Sequence, residues 1–277
     1  MGKRPKQDGV GQLVLPMVFP EGRASDGTEA TEDNGSEASP AAPAVRRRPE
    51  RQGKGYSLFD KVSALPNRQR AWQQVAANGG AGGRDGRTMA RFAENADERL
   101  ADLAADRRAK TYRPQPVRRV FLPKSGGGQR PLGIPSIRDR IVPQALRQIL
   151  EPLFEGKFSK HSHGFRPEKG GAPALSVGDQ AIQWGYQWVV DADRQAFFDT
   201  VDHEKWLAAL NEEIAEGSVL RRVRQILKAG VVWPATATVE PTELGTPQGG
   251  PLSPWLANVY WHQFDLRMVQ AGYGLVR

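Results

Sequence analysis

An α+β fold is predicted for these 277 residues, and three stretches carry that reading. Tyr112 to Leu122 alternates under proline interruption, as a strand at a sheet edge does. It returns through Lys124-Ser125-Gly126-Gly127-Gly128-Gln129-Arg130 into Pro131-Leu132-Gly133-Ile134-Pro135, the pattern of a hairpin. Ile141, Ala145, Leu146, Ile149, Leu150 and Leu153 lay a broad apolar stripe along a helix over 140–155. Trp188-Val189-Val190-Asp191-Ala192-Asp193 reads as a short apolar strand ending in acids, with helices expected over 203–215 and 254–270.

Taken in order, the chain opens with a segment that does not read as folded. Residues 21–43 hold six acids, one arginine and no aliphatic side chain larger than alanine, too little apolar surface to offset backbone ordering. A disordered leader over 1–55 is therefore expected. Lys3, Arg4 and Lys6 precede an apolar run that Pro16 interrupts, and no clean cleavage pattern follows, so a secretory signal is disfavoured. Leu58, Val62, Leu65, Trp72 and Val75 recur at helical spacing, broken at Pro66, until Asn78-Gly79-Gly80-Ala81-Gly82-Gly83-Arg84-Asp85-Gly86 imposes a loop. That loop lacks the lysine-serine/threonine ending of a P-loop. Phe92, Ala96, Leu100 and Leu103 then share one face of a further helix.

Composition excludes several classes. With no cysteine there is no disulfide framework, thiolate zinc site or cysteine nucleophile, and four histidines leave little room for a histidine metal site. No run reaches the roughly 18 apolar residues of a membrane span. The net charge is +8, yet residues 107–147 alone hold eleven basic residues against one acid, a local net of +10. Such a patch suits a polyanion, because phosphate contacts dominate nucleic-acid affinity; a plain solvated face is the alternative.

Two stretches could carry chemistry. Strand alternation puts Asp191 and Asp193 on one side, and strand-end carboxylates are the hard oxygen ligands Mg²⁺ accepts. On spacing alone Asp193 is as readily structural as metal-binding, while Asp199 and Asp202 read better as turn and helix-cap residues. Gly245-Thr246-Pro247-Gln248-Gly249-Gly250-Pro251-Leu252-Ser253-Pro254 leads into a helix with Ser253 as the expected cap and Pro254 as its first residue. Its glycines leave backbone open to a flat or polyanionic ligand, or serve only as a helix-entry loop.

The motifs together resemble the reverse transcriptases encoded by group II introns and their retron-like relatives. The resemblance runs from about Tyr56 to Arg277 and is carried by Asn78 to Gly86, Tyr112-Arg113-Pro114-Gln115-Pro116-Val117-Arg118-Arg119-Val120, Arg130 to Pro135, Ser162-His163-Gly164-Phe165-Arg166-Pro167, Asp193 to Asp199 and Gly245 to Pro254. It implies a right-hand polymerase with fingers over 56–180 and a partial palm over 181–277, an antiparallel sheet with packed helices. It implies Asp193 as the catalytic aspartate on two Mg²⁺ ions and the backbone carbonyl of Arg194 as a further ligand. Phe198 would pack under the incoming sugar, Lys124 and Arg130 would meet the triphosphate, and Gln248 would lie beside the nascent base pair. Arg113, Arg118, Arg119, Arg138, Arg140 and Arg166 are the candidate nucleic-acid contacts. Partners implied are template and intron RNA, a DNA primer and deoxynucleoside triphosphates, with no membrane, in the bacterial cytoplasm; the oligomeric state stays open.

Two departures from the family pattern bear on function. Arg194 stands where an apolar residue is common. The Tyr-Ala-Asp-Asp hairpin that brings the other catalytic aspartates, and the thumb and maturase regions, are not found in these 277 residues. A chain inactive on its own, with a loosened palm, is therefore expected; the alternative is a non-catalytic fragment that binds intron RNA.

Overall fold

The computed structural model describes residues 58–108, 111–123, 127–233, 236–246 and 249–277. The leader over 1–55, Lys124 and Gln248 lie outside the described residues. Among the described residues the fold is mixed α+β, as expected, with helices built around one four-stranded sheet.

Helices α1 (Leu58–Ser63) and α2 (Leu65–Asn78) are separated at Ala64, two residues before Pro66, which sits in the first turn of α2 where its missing N–H costs nothing. Val62, Ala71 and Val75 are buried, and Asn67 in α2 donates to the carbonyls of Val62 and Ala145 at 3.2 and 2.9 Å. The single helix expected around Phe92 and Leu103 is two, α3 (Met89–Ala93) and α4 (Ala96–Arg108). A turn at Glu94-Asn95 divides them, and Thr88 caps α3 by accepting from the Arg91 amide at 3.2 Å.

Strands β1 (Val117–Pro123) and β2 (Gln129–Ile134) form the expected antiparallel hairpin, from Arg118 opposite Ile134 to Pro123 opposite Gln129. β1 is not at an edge, however. Its start also pairs in parallel with β3 (Val231–Val232), which pairs with β4 (Val239–Glu240), giving the order β2-β1-β3-β4. Prolines 114 and 116 precede the strand and Pro123 ends it, so none falls at Arg118, which pairs with both neighbouring strands.

The long helix α5 (Arg138–Glu155) is the central element. Ile141, Val142, Ala145, Leu146, Leu150 and Phe154 are all buried on it. It packs against α1, α2 and α10 (Ser253–Gln270). Helices α8 (His203–Asn211) and α9 (Gly217–Leu227) close the other side, with Trp206, Leu210, Val219, Val223 and Leu227 buried. Asp202 caps α8, as expected, by accepting from the Glu204 amide at 2.7 Å. Ser253 is instead the first residue of α10, and its hydroxyl bonds Thr246 Oγ1 at 2.9 Å. One hydrophobic cluster runs from Val62 through α5 to Val259, so α8 and α10 keep their buried faces.

The stretch between α5 and α8 behaves differently. α6 (Gly171–Gln183) buries Ala181 but leaves Leu175 and Ile182 exposed, and only the single turn α7 (Phe197–Thr200) follows before Asp202. The strand expected over 188–193 does not form: Trp188 is 85 % and Val189 66 % exposed, in backbone outside any ladder. A strand needs a partner for its N–H and C=O groups, and none of the described residues is paired with it. At the other end, Arg277 is tied back to the Ser162–Pro167 motif. Its amide donates to the His161 carbonyl at 3.0 Å, and its guanidinium reaches Asp265, Asn258 and Ser162.

Candidate nucleotide and nucleic-acid site

Glycine makes the first half of the site possible. Gly245 donates from its amide to the Val201 carbonyl at 2.7 Å, Thr246 to the Phe198 carbonyl at 2.6 Å, and His203 Nε2 to the Gly245 carbonyl at 2.6 Å. Gly245 has φ +69°, and a Cβ there would sit 2.3 Å from the Phe198 oxygen. A few residues on, Gly249 (φ +107°) lies against β2, where a Cβ would come within 2.9 Å of the Gly133 oxygen and 3.0 Å of Leu132 Cδ1. The loop therefore spans from the Phe198 backbone to the β1–β2 hairpin. Gly245 and Gly249, on either side of the Thr246-Pro247-Gln248 run, are both fixed, and neither position admits a side chain without displacing backbone.

Phe198, half-buried in α7, packs edge-to-face on Phe197 at 5.2 Å. Asp193 and Asp191 are both exposed in the stretch before it. The Arg194 side chain turns to α10: Nη1 donates to the Tyr260 hydroxyl at 2.9 Å, and the guanidinium lies 5.8 and 5.7 Å from the Phe197 and Tyr260 rings. That explains an arginine there, since the cation is held over two aromatic faces. Among the described residues no three His, Asp or Glu side chains converge as a metal site. Mg²⁺ takes about six oxygen ligands, so the exposed carboxylates of Asp191 and Asp193 do not by themselves fill a two-ion centre among the described residues.

The second half is the glycine loop before α3. Gly83 lets it close on the β2–α5 corner, where a Cβ would be 2.5 Å from Ser136 backbone, and Gly82 lets the loop fold on itself, where a Cβ would be 2.6 Å from the Arg87 oxygen. Arg118 donates to the Gly82 carbonyl through Nε and Nη2 at 3.3 and 2.8 Å. Arg140 donates to the carbonyls of Pro135 at 3.0 Å, Gly79 at 3.3 Å and Ala81. These two expected nucleic-acid contacts thus hold the loop through its backbone, an architectural task no sequence pattern announces.

The remaining candidates divide. Arg138 pairs with Asp106 at 2.6 Å and lies over the Tyr112 ring, whose other cation is Arg222 at 4.7 Å. Arg113 Nη1 donates to the Tyr112 carbonyl at 3.1 Å. Arg166 is almost wholly buried and spends its donors on Glu155 and on the Ser159 and Ser162 carbonyls, so it holds its own turn. Arg119 lies over the Trp233 ring at 5.6 Å, and Arg130 is exposed opposite Leu122.

Beneath the patch sits its one acid. Asp139 accepts from Tyr112 Oη at 2.7 Å, Ser136 Oγ at 2.7 Å and the Gln115 amide at 3.0 Å. Burial pushes its carboxyl above the ordinary 3.8, outweighing the three donors and Arg138, and burial beside Asp139 pushes the Tyr112 hydroxyl up as well. The sequence reading missed His203, Tyr260 and Asp139. The adjacency of Asp202 and His203 was visible, but its target, the Gly245 carbonyl, is backbone 42 residues away.

In fold, the chain is of the α+β class and has a counterpart among solved structures. It aligns with the partial Cas6-RT-Cas1–Cas2 complex at a TM-score of 0.53 and 21% identity, over 83% of this chain and 38% of that one, a likeness of fold alone. Residues 122–272 match the family described as reverse transcriptase (RNA-dependent DNA polymerase), and the chain belongs to that family. Its relatives include the group II intron-encoded protein LtrA of Lactococcus lactis subsp. cremoris, 36% identical over 177 residues, 63% of this chain and 29% of that protein. The protein YkfC of Escherichia coli (strain K12) is 38% identical over 158 residues, 56% of this chain and 41% of that protein. The kinship with group II intron reverse transcriptases read from the motifs is borne out. The chain matches less than half the length of these curated relatives. No helix among the described residues is long and apolar enough to cross a membrane.

Proposed function

We propose that the chain forms the fingers (56–180) and part of the palm (181–277) of an RNA-directed DNA polymerase of group II intron type. It would work on template and intron RNA with a DNA primer and deoxynucleoside triphosphates. The observation that supports this best is the loop from Gly245 to Gly249, tethered at one end to the Phe198 backbone and at the other to β2. Those tethers flank Gln248, assigned to the base pair, with Phe198, assigned to the sugar, at one end and the hairpin carrying Lys124 and Arg130, assigned to the triphosphate, at the other. Asp193 and the Arg194 carbonyl are this chain's contribution to a centre for two Mg²⁺ ions, and the described residues do not complete it.

That incompleteness favours a second reading, an RNA-binding role without catalysis, for these 277 residues on their own. Template-primed incorporation of deoxynucleotides with Mg²⁺ separates the two. We expect none above an Asp193→Ala control, alongside RNA binding whose log affinity falls steeply with log salt. Incorporation above the control establishes a working polymerase and removes the second reading. A chain that neither incorporates nor binds RNA overturns both.

A further inference from the structure

We propose that Arg119, Phe121 and Trp233 form a stacking platform for an unpaired base of single-stranded RNA; the proposal rests on the RNA-binding reading above. Alternation puts Val117, Arg119 and Phe121 on one face of β1. The opposite face sends Arg118 to the glycine loop. The parallel pairing of Arg118 with Val232 sets Trp233 beside Arg119 on the same face. The guanidinium lies 5.6 Å from the indole centroid, and the Phe121 ring lies 5.8 Å from it at a 32° tilt. Burial decreases along the strand, from Val117 at 5 % exposed to Phe121 at 44 %.

Three features point to a nucleobase. An exposed ring beside a guanidinium-covered indole offers flat π surface with a cation at its rim, which is how single strands are held without sequence preference. Arg119 Nε and Trp233 Nε1 are covered and have no acceptor among the described residues, unlike Arg118 and Arg140, whose guanidinium groups donate to backbone carbonyls through Nε and the terminal nitrogens. Arg119 and Phe121 also belong to the stretch of net charge +10 over 107–147, complementary to a phosphodiester chain. A protein partner would gain from the aromatic surface but not from that charge.

A fluorescein-labelled single-stranded RNA of mixed sequence tests this by anisotropy across a salt series. Phe121→Ala and Trp233→Ala should each loosen binding by about 5- to 100-fold with an unchanged salt slope, since stacking and not charge is removed. Trp233→Phe should recover most of the loss, and Arg119→Gln should lower the slope by about one phosphate contact. The unaltered chain provides a control against misfolding: irradiation with 4-thiouridine RNA should crosslink the peptide holding Phe121 or the one holding Trp233. The platform is overturned if the unaltered chain binds RNA yet both alanine variants match it, or if crosslinks form only elsewhere. A chain that binds no RNA overturns the platform together with the reading it rests on.

Discussion

Two pairs of tryptophans divide the molecule. Trp206 and Trp255 are 0 % and 1 % exposed, one donating Nε1 to the Leu256 carbonyl at 3.0 Å and the other edge-on to Phe154 at 5.3 Å. Trp184 and Trp188, from the stretch between α6 and α7, are 57 % and 85 % exposed. Composition does not separate these regions; periodicity and pairing do. Around α5, α8 and α10 apolar residues recur on one helical face and meet another such face. Over 184–190 they sit in a turn and in backbone outside any helix or ladder, so no regular face gathers them for burial.

The comparison can be broken most directly in the core. Trp255→Ala should cost about 3–5 kcal/mol in urea denaturation, by lost transfer energy plus a cavity. Gly83→Ala should cost about 1–3 kcal/mol, because its methyl group meets Ser136 backbone rather than a movable side chain. Gly79→Ala isolates the backbone term: it has φ +60° and ψ -143° with open space around it, a conformation nearly restricted to glycine, so strain alone should cost about 1–3 kcal/mol.

Smaller effects should appear as pH dependence. The Asp139 carboxyl is raised by burial, so between its ordinary 3.8 and its folded value the native state holds a proton that the unfolded chain releases. Stability from this group is present at low pH and falls as pH rises through that window. Asp139→Asn stays neutral, so the urea midpoint of the unaltered protein should drop relative to the variant as pH rises above about 4. His163 works the other way. Burial, Lys169 and Arg166 lower its pKa, so its contribution holds above 6.5 and is lost as pH falls below that value. His163→Gln should flatten that acid-side loss. The smallest change sharpens the contrast: Trp188→Ala should move stability by no more than about 0.5 kcal/mol. A loss like that of Trp255→Ala would mean that the exposed stretch is docked in solution.

Legibility in the sequence followed the range of the interaction. The hairpin, the α5 stripe, the Pro66 break and the Asp202 cap depend on neighbours within a few residues, and all four are found. The placement of β1 inside the sheet depends on β3, more than a hundred residues on, and was misread as an edge. α9 carries a clean period in Val219, Val223 and Leu227 that its arginines obscured. In the site, the special residues of the Gly245–Gly249 loop were evident, but not why glycine is required, because the colliding atoms are backbone from Phe198 and Gly133. The arginines were visible as charge and not as architecture, since carbonyl acceptors leave no mark on a sequence.

Those carbonyl acceptors have an electrostatic consequence. Arg138 and Arg166 face carboxylates, so much of their charge is cancelled a few ångströms away. Arg118 hydrogen-bonds only a neutral oxygen, and so does Arg140, with Asp85 a partial offset nearby. A dipole satisfies a guanidinium's donors without removing its monopole, so the two cations that clamp the glycine loop still project a positive field into solvent. They can draw a polyanion toward this face while never touching it, and their removal would slow encounter as well as loosen the loop.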